Sequence, residues 1–449
     1  MNKIVIGITA LASGIVFAQE SATVPATTAP TPISAIGSES INNDVTTYVS
    51  AKEMMEQVFT DYAKERGIKY GVPNARGTTY FYGSASVKAN GNSSSFVKSR
   101  TMAYETAYQD AVAKLVMDLT GQEMIKSVRE LFDDESDDRL EPPATLAEAE
   151  TGIVKKLKVL TEAKLDQGLT KLGIDPSKYT AAGPEVKKQL YKDSLFKSSV
   201  RKAFYSASGF LPVQTFETRT ENGRFTIGVV IRSDADCTEI AKCLKLKQRP
   251  LITRENGLRI DEALPTDEEL LTQFGVRLYF DETGYPSLLS FGQWGSAYTG
   301  DNERRRERAM ESAMAQAEAI ANEQLTAFIN SKIAVYEATE RGEIEEESLR
   351  FKNDGSTTAE DFMKIIDRIA KSSTVTGSDS MIARSTVLKK TLKHPSGQNI
   401  CMVVRRWSFS QLESARAIIS GKTPVPVKKT SEPAKTGDRG IRQGRTYDF

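Results

Sequence analysis

Hydrophobic residues recur along the chain with two spacings, one typical of β-strands and one typical of α-helices. Segments of the two kinds alternate, which predicts an α+β protein. In the first half, Thr78 to Val87 is rich in Thr, Tyr, Phe and Val, which is typical of a β-strand. A helical period then predicts one long helix from Phe96 to Leu131. The half closes with a predicted hairpin, in which Leu211 to Thr220 pairs with Arg224 to Arg232 through the turn Glu221-Asn222-Gly223.

Further helices are predicted before and within this half, and they span Tyr48 to Lys64, Ile153 to Leu172 and Glu185 to Phe204. The second half repeats the same order with an added strand at its front. Its predicted elements are the strands Val276 to Phe280 and Leu288 to Trp294, a long helix Glu303 to Ala338 capped by Asn302, a shorter helix Ala359 to Lys371, the closing strands Met381 to Leu392 and Asn399 to Trp407, and a last helix Phe409 to Ile419.

Short motifs support an internal duplication. The two long helices share the pattern Arg-x-x-Ala-x-x-x-Ala-x-x-x-Ala, at Arg100, Ala103, Ala107 and Ala111 and at Arg306, Ala309, Ala313 and Ala317. A Gly-Ser-Ala triplet precedes each helix, at Gly83 and at Gly295, and two valines and an arginine follow Gly223 and Gly397 at the same spacing. We therefore expect Arg100 and Arg306 to occupy equivalent positions. Alanines four residues apart lie on one helix face and let the helix approach a sheet closely.

The predicted fold is thus a tandem of duplicated α+β domains, each built as strand, long helix, helical insertion and hairpin. The predicted segments are a signal peptide over 1–18, a disordered linker over 19–47, a first repeat with its N-terminal helix over 48–240, a second repeat over 250–420, and a disordered basic tail over 421–449.

The N-terminus predicts export. Lys3 precedes an uncharged apolar stretch from Ile4 to Phe17, and Val16-Phe17-Ala18 has the small residues of a cleavage site after Ala18. A retained anchor needs about 20 apolar residues, and this stretch is shorter. No later stretch is long and apolar enough to cross a bilayer, so we expect a periplasmic or secreted protein without a transmembrane segment after cleavage.

Charge gives no reason to expect nucleic acid as a partner. The 449 residues include 60 Lys and Arg and 59 Asp and Glu, for a formal net charge of +1. The expected partners are instead cell-envelope proteins.

Export also bears on the cysteines. Cys237 and Cys243 lie close in sequence, so an oxidising compartment permits a local disulfide if the segment is not a straight helix; otherwise they remain free. Cys401 aligns with Ile227 of the first repeat, which predicts a buried small hydrophobe.

Catalytic, cofactor and metal sites are not predicted. Ser194 and Lys197 match a Ser-x-x-Lys motif, but the accompanying Lys435-Thr436-Gly437 lies in the tail and not on a strand. His394 is the single histidine and lies in a predicted turn, where we interpret it as a turn residue; one histidine makes no zinc dyad. The acidic run Asp133 to Asp138 attracts cations but lacks the glycine and the closing glutamate of a calcium loop, which favours a solvated loop.

The run Phe81-Tyr82-Gly83-Ser84-Ala85-Ser86-Val87, the alanine helix from Arg100 and the strand from Gly223 to Arg232 resemble the small β-α-β-β domain of bacterial flagella-associated outer-membrane lipoproteins and the N-terminal domain of the flagellar T-ring protein. The chain lacks their lipid-attachment cysteine and carries long helical insertions. The resemblance implies a non-enzymatic cell-envelope module.

These observations lead to one functional hypothesis and two alternatives. We expect a non-enzymatic exported envelope protein that acts as a protein-interaction or structural module. One alternative is an envelope-polymer hydrolase that uses Ser194 and Lys197. The other is a surface-polymer binding module, for which exposed aromatic residues clustered around Trp294, Tyr298 or Trp407 would be the sign.

Overall fold

The computed structural model describes residues 50–132, 146–179, 183–207, 210–220, 222–246, 250–296, 298, 300–341, 356–364, 384–419 and 442–443. The predicted signal peptide, its cleavage site, the linker, the acidic run and most of the tail lie outside the described residues. From Val49 to Phe449 the chain forms one compact unit.

The helices are α1 (Ala51–Arg66), α2 (Phe96–Phe132), α3 (Leu146–Leu157), α4 (Glu162–Lys171), α5 (Pro184–Ser206), α6 (Ala235–Leu246), α7 (Ile260–Ala263), α8 (Asp267–Leu271), α9 (Glu303–Arg341) and α10 (Phe409–Ile419). The strands are β1 (Thr79–Ser86), β2 (Phe210–Arg219), β3 (Phe225–Ser233), β4 (Gly275–Phe280), β5 (Pro286–Gly295), β6 (Arg384–Lys393), β7 (Asn399–Ser408) and β8 (Arg442–Gln443).

The α+β class is confirmed, and most predicted elements are present. Asn302 caps α9 as expected, because its Oδ1 accepts a hydrogen bond from the Arg305 amide at 3.1 Å. Several details differ from the prediction. The single helix expected from Ile153 to Leu172 is divided into α3 and α4. The helices α6, α7 and α8 were not predicted, and β8 lies in the tail that we expected to be disordered.

Two four-stranded antiparallel sheets form the scaffold. Their strand orders are β1-β3-β2-β8 and β4-β5-β7-β6. The order β5-β7-β6 reproduces β1-β3-β2, and β4 is the added front strand that the sequence predicts. The long helix that follows β1 packs on β1 and β3, and the one that follows β5 packs on β5 and β7. The predicted duplication is therefore present in the topology.

The register confirms the duplication residue by residue. Gly83 of β1 lies opposite Val229, and Gly292 of β5 lies opposite Val403. The closing hairpins share a local irregularity, because the register shifts between Pro212 and Gln214 in β2 and between Thr386 and Leu388 in β6. The valines and arginines after Gly223 and Gly397 therefore correspond as predicted.

The predicted alignment of the two long helices was wrong by one turn. A Cβ added to Gly83 would lie 2.1 Å from the Ala107 carbonyl oxygen, and one added to Gly292 would lie 1.9 Å from that of Ala317. Gly292, and not Gly295, is thus the counterpart of Gly83, and Ala317 is the counterpart of Ala107. Alanines recur every four residues, so a slip of one turn leaves the sequence pattern intact.

As a result, Arg100 and Arg306 are not equivalent. Arg100 is fully buried, whereas Arg306 is exposed at the beginning of α9. The counterpart of Arg100 in α9 is Met310 under the corrected alignment. A buried arginine at this position of the long helix is therefore a feature of the first repeat alone.

The position of α2 explains this burial. The first sheet is covered by α1 on one face and by α2 on the other, and α2 also contacts β5 of the second sheet. One hydrophobic core consequently includes residues of both repeats, such as Ala107, Val229, Phe291 and Met402. The outer face of the second sheet is covered by α9. A helix enclosed between two sheets has little exposed face, so its polar residues need partners inside the protein.

Candidate functional site at the junction of the repeats

The junction contains a buried ionic cluster centred on Arg100. Its side chain has no exposed surface, and it lies in the second turn of α2, with its guanidinium 5.9 Å from the Phe96 ring centroid and 5.1 Å from that of Phe274. Nε and Nη2 donate to Oε1 and Oε2 of Glu217, at 2.7 and 2.9 Å. This two-pronged pairing joins α2 to β2 within the first repeat.

The second repeat supplies the other partners of Arg100. Nη1 donates to Gln293 Oε1 at 2.9 Å, and Nη2 donates to the Leu271 carbonyl oxygen at 2.7 Å. The Gln293 amide nitrogen in turn donates to the Gln273 carbonyl oxygen at 2.6 Å. Arg100 therefore hydrogen-bonds to both repeats at once.

His394 completes the cluster from the turn between β6 and β7. Its Nε2 lies 3.0 Å from Glu217 Oε2, and its Nδ1 accepts the Ser396 backbone amide at 3.1 Å. Because Nδ1 accepts this hydrogen bond, we assign the proton to Nε2, which donates to the carboxylate. The ring lies between Phe96 and Phe225, with centroid distances of 5.3 and 5.4 Å. The interpretation of His394 as a simple turn residue was wrong, because its side chain is buried at the junction.

The electrostatics favour an ionised glutamate. Burial alone would raise the pKa of Glu217, but the Arg100 charge and the hydrogen bond from His394 outweigh it and lower the pKa to about 2. Arg100 and Glu217 consequently form a charge-balanced buried pair at neutral pH.

Ser396, His394 and Glu217 stand in the order of a nucleophilic triad, since Ser396 Oγ lies 2.9 Å from His394 Nδ1. The surroundings oppose this chemistry. If Nδ1 took up a proton, its N–H group and the Ser396 backbone N–H group would point at each other, and neither could accept a hydrogen bond. Arg100 also neutralises the carboxylate that would stabilise an imidazolium. The arrangement is suited to holding two repeats together and poorly suited to proton transfer.

A second buried cation lies near the junction. Arg277 of β4 is fully buried, and its Nη2 donates to Thr215 Oγ1 of β2 at 3.2 Å. Thr215 in turn donates to the Thr272 carbonyl oxygen at 2.5 Å. Burial raises the pKa of the neighbouring Tyr104, and the Arg277 charge opposes this effect only in part. Polar contacts thus join the repeats at two separate points.

The cysteine bridge considered from the sequence is not formed. Cys237 and Cys243 are free and buried, and both lie on the continuous helix α6. Six residues of helix advance by about 9 Å, beyond the reach of a disulfide between Cα atoms. Burial, together with the Glu239 carboxylate that accepts from the thiol, raises the pKa of Cys243 to about 11. Cys401 is buried between β7 and α9 as expected.

The residues of the two alternative functions are not assembled into sites. Ser194 and Lys197 both lie on α5, and within the described part of the chain no hydrogen bond or ion pair joins them. Trp407 is buried against Phe409, with a ring separation of 4.7 Å, and Trp294 packs against the α9 core. Among the described residues, no group of three or more His, Cys, Asp or Glu side chains could hold a metal ion.

Sequence reasoning missed Glu217 and Gln293, although one signal was available. Gln293 follows Leu289 and Phe291 at alternate positions of β5, on the face that enters the shared core. A polar residue that continues such an apolar alternation needs a buried partner. The sequence does not identify that partner, because Arg100 is 193 residues away.

Comparisons with known proteins give a fold and no activity. Residues 151–246 match a family described as a domain of unknown function, DUF6844. No match was found among curated proteins. The crystal structure of a hypothetical protein from Francisella tularensis is similar, with a TM-score of 0.50 and 22% identity over 83% of this chain and 93% of that one. The chain therefore shares its fold with a protein whose title states no function. Residues 151–246 match a family to which no function is assigned.

None of the helices in the described ranges is both long and apolar enough to cross a membrane.

Proposed function

We propose that this protein is an exported, non-enzymatic module of the cell envelope that acts by binding other proteins. The observation that carries the proposal is that the polar side chains of the junction cluster are bonded to one another. Glu217 accepts hydrogen bonds from Arg100 and His394, and Arg100 donates two further hydrogen bonds, to Gln293 and Leu271. Side chains that could serve acid-base chemistry are here engaged in holding the repeats together.

The edge strand β6 is the surface that we propose for the partner. The other sheet edges carry additional pairing: β8 lies on β2, Tyr70 bridges to Tyr80 beside β1, and Leu258 bridges to Asp281 at the end of β4. Beyond β6, no strand of the described residues is paired. Unpaired edges accept extended segments of other proteins.

The charge of this edge favours an acidic partner. Lys389, Lys390 and Lys393 are exposed along β6, and two of them also form ion pairs within the protein, Lys389 with Glu318 and Lys390 with Asp267, each at 2.6 Å. Lysines on an edge oppose pairing with another basic or apolar strand, which protects the protein from self-association. An extended segment with Asp or Glu side chains would complement them.

Photo-cross-linking in intact cells tests this surface. A photoreactive amino acid replaces Lys393 in the full chain, and the matched control replaces Lys164, which is exposed on α4. We expect a discrete cross-linked protein from position 393 that is absent from position 164. Equal labelling from both positions, or none from 393, would count against the β6 surface.

The enzymatic alternatives are tested with serine variants. Ser194→Ala and Ser396→Ala are each introduced into the chain that carries the photoreactive amino acid at position 393, and the cross-linked product should not change. Without the photoreactive amino acid, each serine variant should fully complement a deletion strain. Loss of complementation by either variant with unchanged thermal stability would favour a hydrolase over a binding module.

Export is tested separately. The resemblance to envelope domains and the apolar N-terminal stretch support it, and the stretch with its Val16-Phe17-Ala18 cleavage pattern predicts that the mature chain begins at Gln19. N-terminal sequencing of protein recovered from the envelope fraction should read Gln19 first. An intact Met1 in that fraction would contradict cleavage.

A further inference from the structure

The face of the β6–β7 hairpin that is turned towards α9 carries a second cluster of charged residues, remote from the junction. Arg384 begins β6 and lies opposite Trp407 of β7, while Thr386 lies opposite Arg405. Arg405 Nη1 donates to Glu318 Oε1 of α9 at 2.9 Å, so this face of the hairpin is turned towards the helix. Arg384, two residues from Thr386 on the same strand, belongs to the same face.

Among the described residues, the Arg384 guanidinium has no hydrogen-bond or ion-pair partner. Its Nε, Nη1 and Nη2 are all shielded from solvent, and none of them makes a hydrogen bond to this part of the chain. The Nε of Arg405 is shielded and unpaired as well. Burial lowers the pKa of Arg384, and the charge of the neighbouring Arg405 lowers it further. A shielded guanidinium without an acceptor is strongly unfavourable, because all five of its N–H groups have lost water.

The nearby carboxylate is already occupied. Glu318 accepts from Lys389 at 2.6 Å, from Arg405 at 2.9 Å and from Thr386 at 3.2 Å. Three cationic side chains of this face, Arg384, Arg405 and Lys389, thus face one anionic side chain among the described residues. The cluster therefore carries an excess of positive charge.

The first repeat shows that the fold does not need these charges. Under the register of the duplication, Arg384 corresponds to Phe210, Arg405 to Ile231 and Glu318 to Tyr108. Tyr108 and Phe210 pack ring against ring there, with centroids 6.0 Å apart, and Ile231 is fully buried in the core. The same place in the scaffold is therefore filled by apolar packing in one repeat and by charged side chains in the other.

We infer that this cluster binds a small oxyanion, with the Arg384 guanidinium as its main ligand and Arg405 Nε as a second donor. A phosphate or a carboxylate carries two or more acceptor oxygens on one phosphorus or carbon atom. Two of these oxygens can accept parallel hydrogen bonds from two N–H groups of the planar guanidinium. The first repeat has an apolar filling at this place, so the site belongs to the second repeat alone. The inference is independent of the protein partner proposed above.

The mature full-length chain is titrated with sodium phosphate and, separately, with sodium acetate, at constant ionic strength maintained with sodium chloride. Thermal unfolding midpoints and isothermal titration calorimetry report binding. We expect at least one of the two oxyanions to raise the midpoint and to give a binding heat, while chloride alone does not. A response to phosphate only, to acetate only or to both identifies the preferred source of the oxyanion.

Two variants of Arg384 and one control make the assignment specific. Arg384→Met should abolish the response and should unfold at a higher temperature than the parent chain without oxyanion, because it removes an unpaired buried charge. Arg384→Lys keeps the positive charge but lacks the paired donors of the guanidinium, so its affinity for the oxyanion should fall by about tenfold. The exposed Arg304, at the beginning of α9, provides the matched control Arg304→Met, which should behave like the parent chain.

The inference is overturned if neither oxyanion raises the midpoint of the parent chain above the chloride control. It is equally overturned if the Arg384 variants respond as the parent chain does. Should Arg384→Met fail to fold, the titration of the parent chain and the loss of affinity in Arg384→Lys decide the question.

Discussion

Gly83 of β1 and Gly292 of β5 occupy the same place in the two repeats, and each lies directly against the backbone of a long helix. A Cβ on Gly83 would come within 2.1 Å of the Ala107 carbonyl oxygen, and one on Gly292 within 1.9 Å of the Ala317 carbonyl oxygen. These approaches are to backbone atoms, which cannot rotate aside. The helix and sheet of each repeat are therefore held at a separation that only glycine and alanine permit.

Gly83→Ala and Gly292→Ala should each destabilise the protein by about 1 to 3 kcal/mol, because the added methyl group overpacks this contact. Chemical denaturation followed by circular dichroism measures the change. Gly183→Ala is the matched control, since a Cβ at Gly183 would meet nothing within 4 Å. Loss of stability in the control equal to that in the two variants would contradict the close-approach interpretation.

Removal of the glutamate charge at the junction should be far more damaging than removal of a surface charge. Glu217→Gln leaves the fully buried Arg100 without its anionic partner, and we expect a loss of about 3 to 5 kcal/mol. Glu185, which is 86% exposed and pairs with Lys188, provides the comparison. Glu185→Gln should change the free energy of unfolding by less than about 1 kcal/mol. Similar effects of the two substitutions in urea denaturation would contradict a stabilising role of the buried Arg100–Glu217 pair.

The same glutamate predicts a dependence of stability on acid. Its pKa falls from 4.5 to about 2 on folding, and a depressed carboxyl pKa adds stability that is complete above the unfolded value. This contribution, on the order of 3 kcal/mol, should be lost progressively as the pH falls from about 5 to 2. Urea midpoints of the parent chain and of Glu217→Gln should converge over this range. Parallel midpoint curves for the two proteins would show that another group controls acid sensitivity.

The cysteines should be recovered as free thiols even from protein exported through an oxidising compartment. Cys237 and Cys243 are held apart by α6, so the intact mass should not change on reduction. Native-state alkylation at pH 8 should be slow, because both thiols are buried and the pKa of Cys243 is raised to about 11. Denaturation before alkylation is the control and should label all three cysteines. A mass shift on reduction that maps to the peptide containing both residues would require α6 to be broken.

The local pattern of the chain was sufficient for most of the secondary structure and for the order of the predicted elements. Alternation in Phe225 to Ile231 and the turn at Gly223 predict the closing hairpin, and the alanines of α2 predict a helix pressed closely against a sheet. These features depend on neighbours within a few residues, so propensity and periodicity suffice to identify them. The duplication was also visible, since two similar folding units leave similar patterns.

The register of the duplication and the candidate sites were decided only by the tertiary structure. The four-residue alanine period fits equally well after a slip of one helical turn, so the sequence paired Arg100 with Arg306 when Met310 is the true counterpart. Arg100 is buried because α2 lies between two sheets, and its partners Glu217 and Gln293 are 117 and 193 residues away. His394 likewise becomes part of the junction through a contact over 177 residues. A sequence pattern records what a side chain requires of its immediate neighbours, whereas the pairing of buried charges depends on which distant elements the fold brings together.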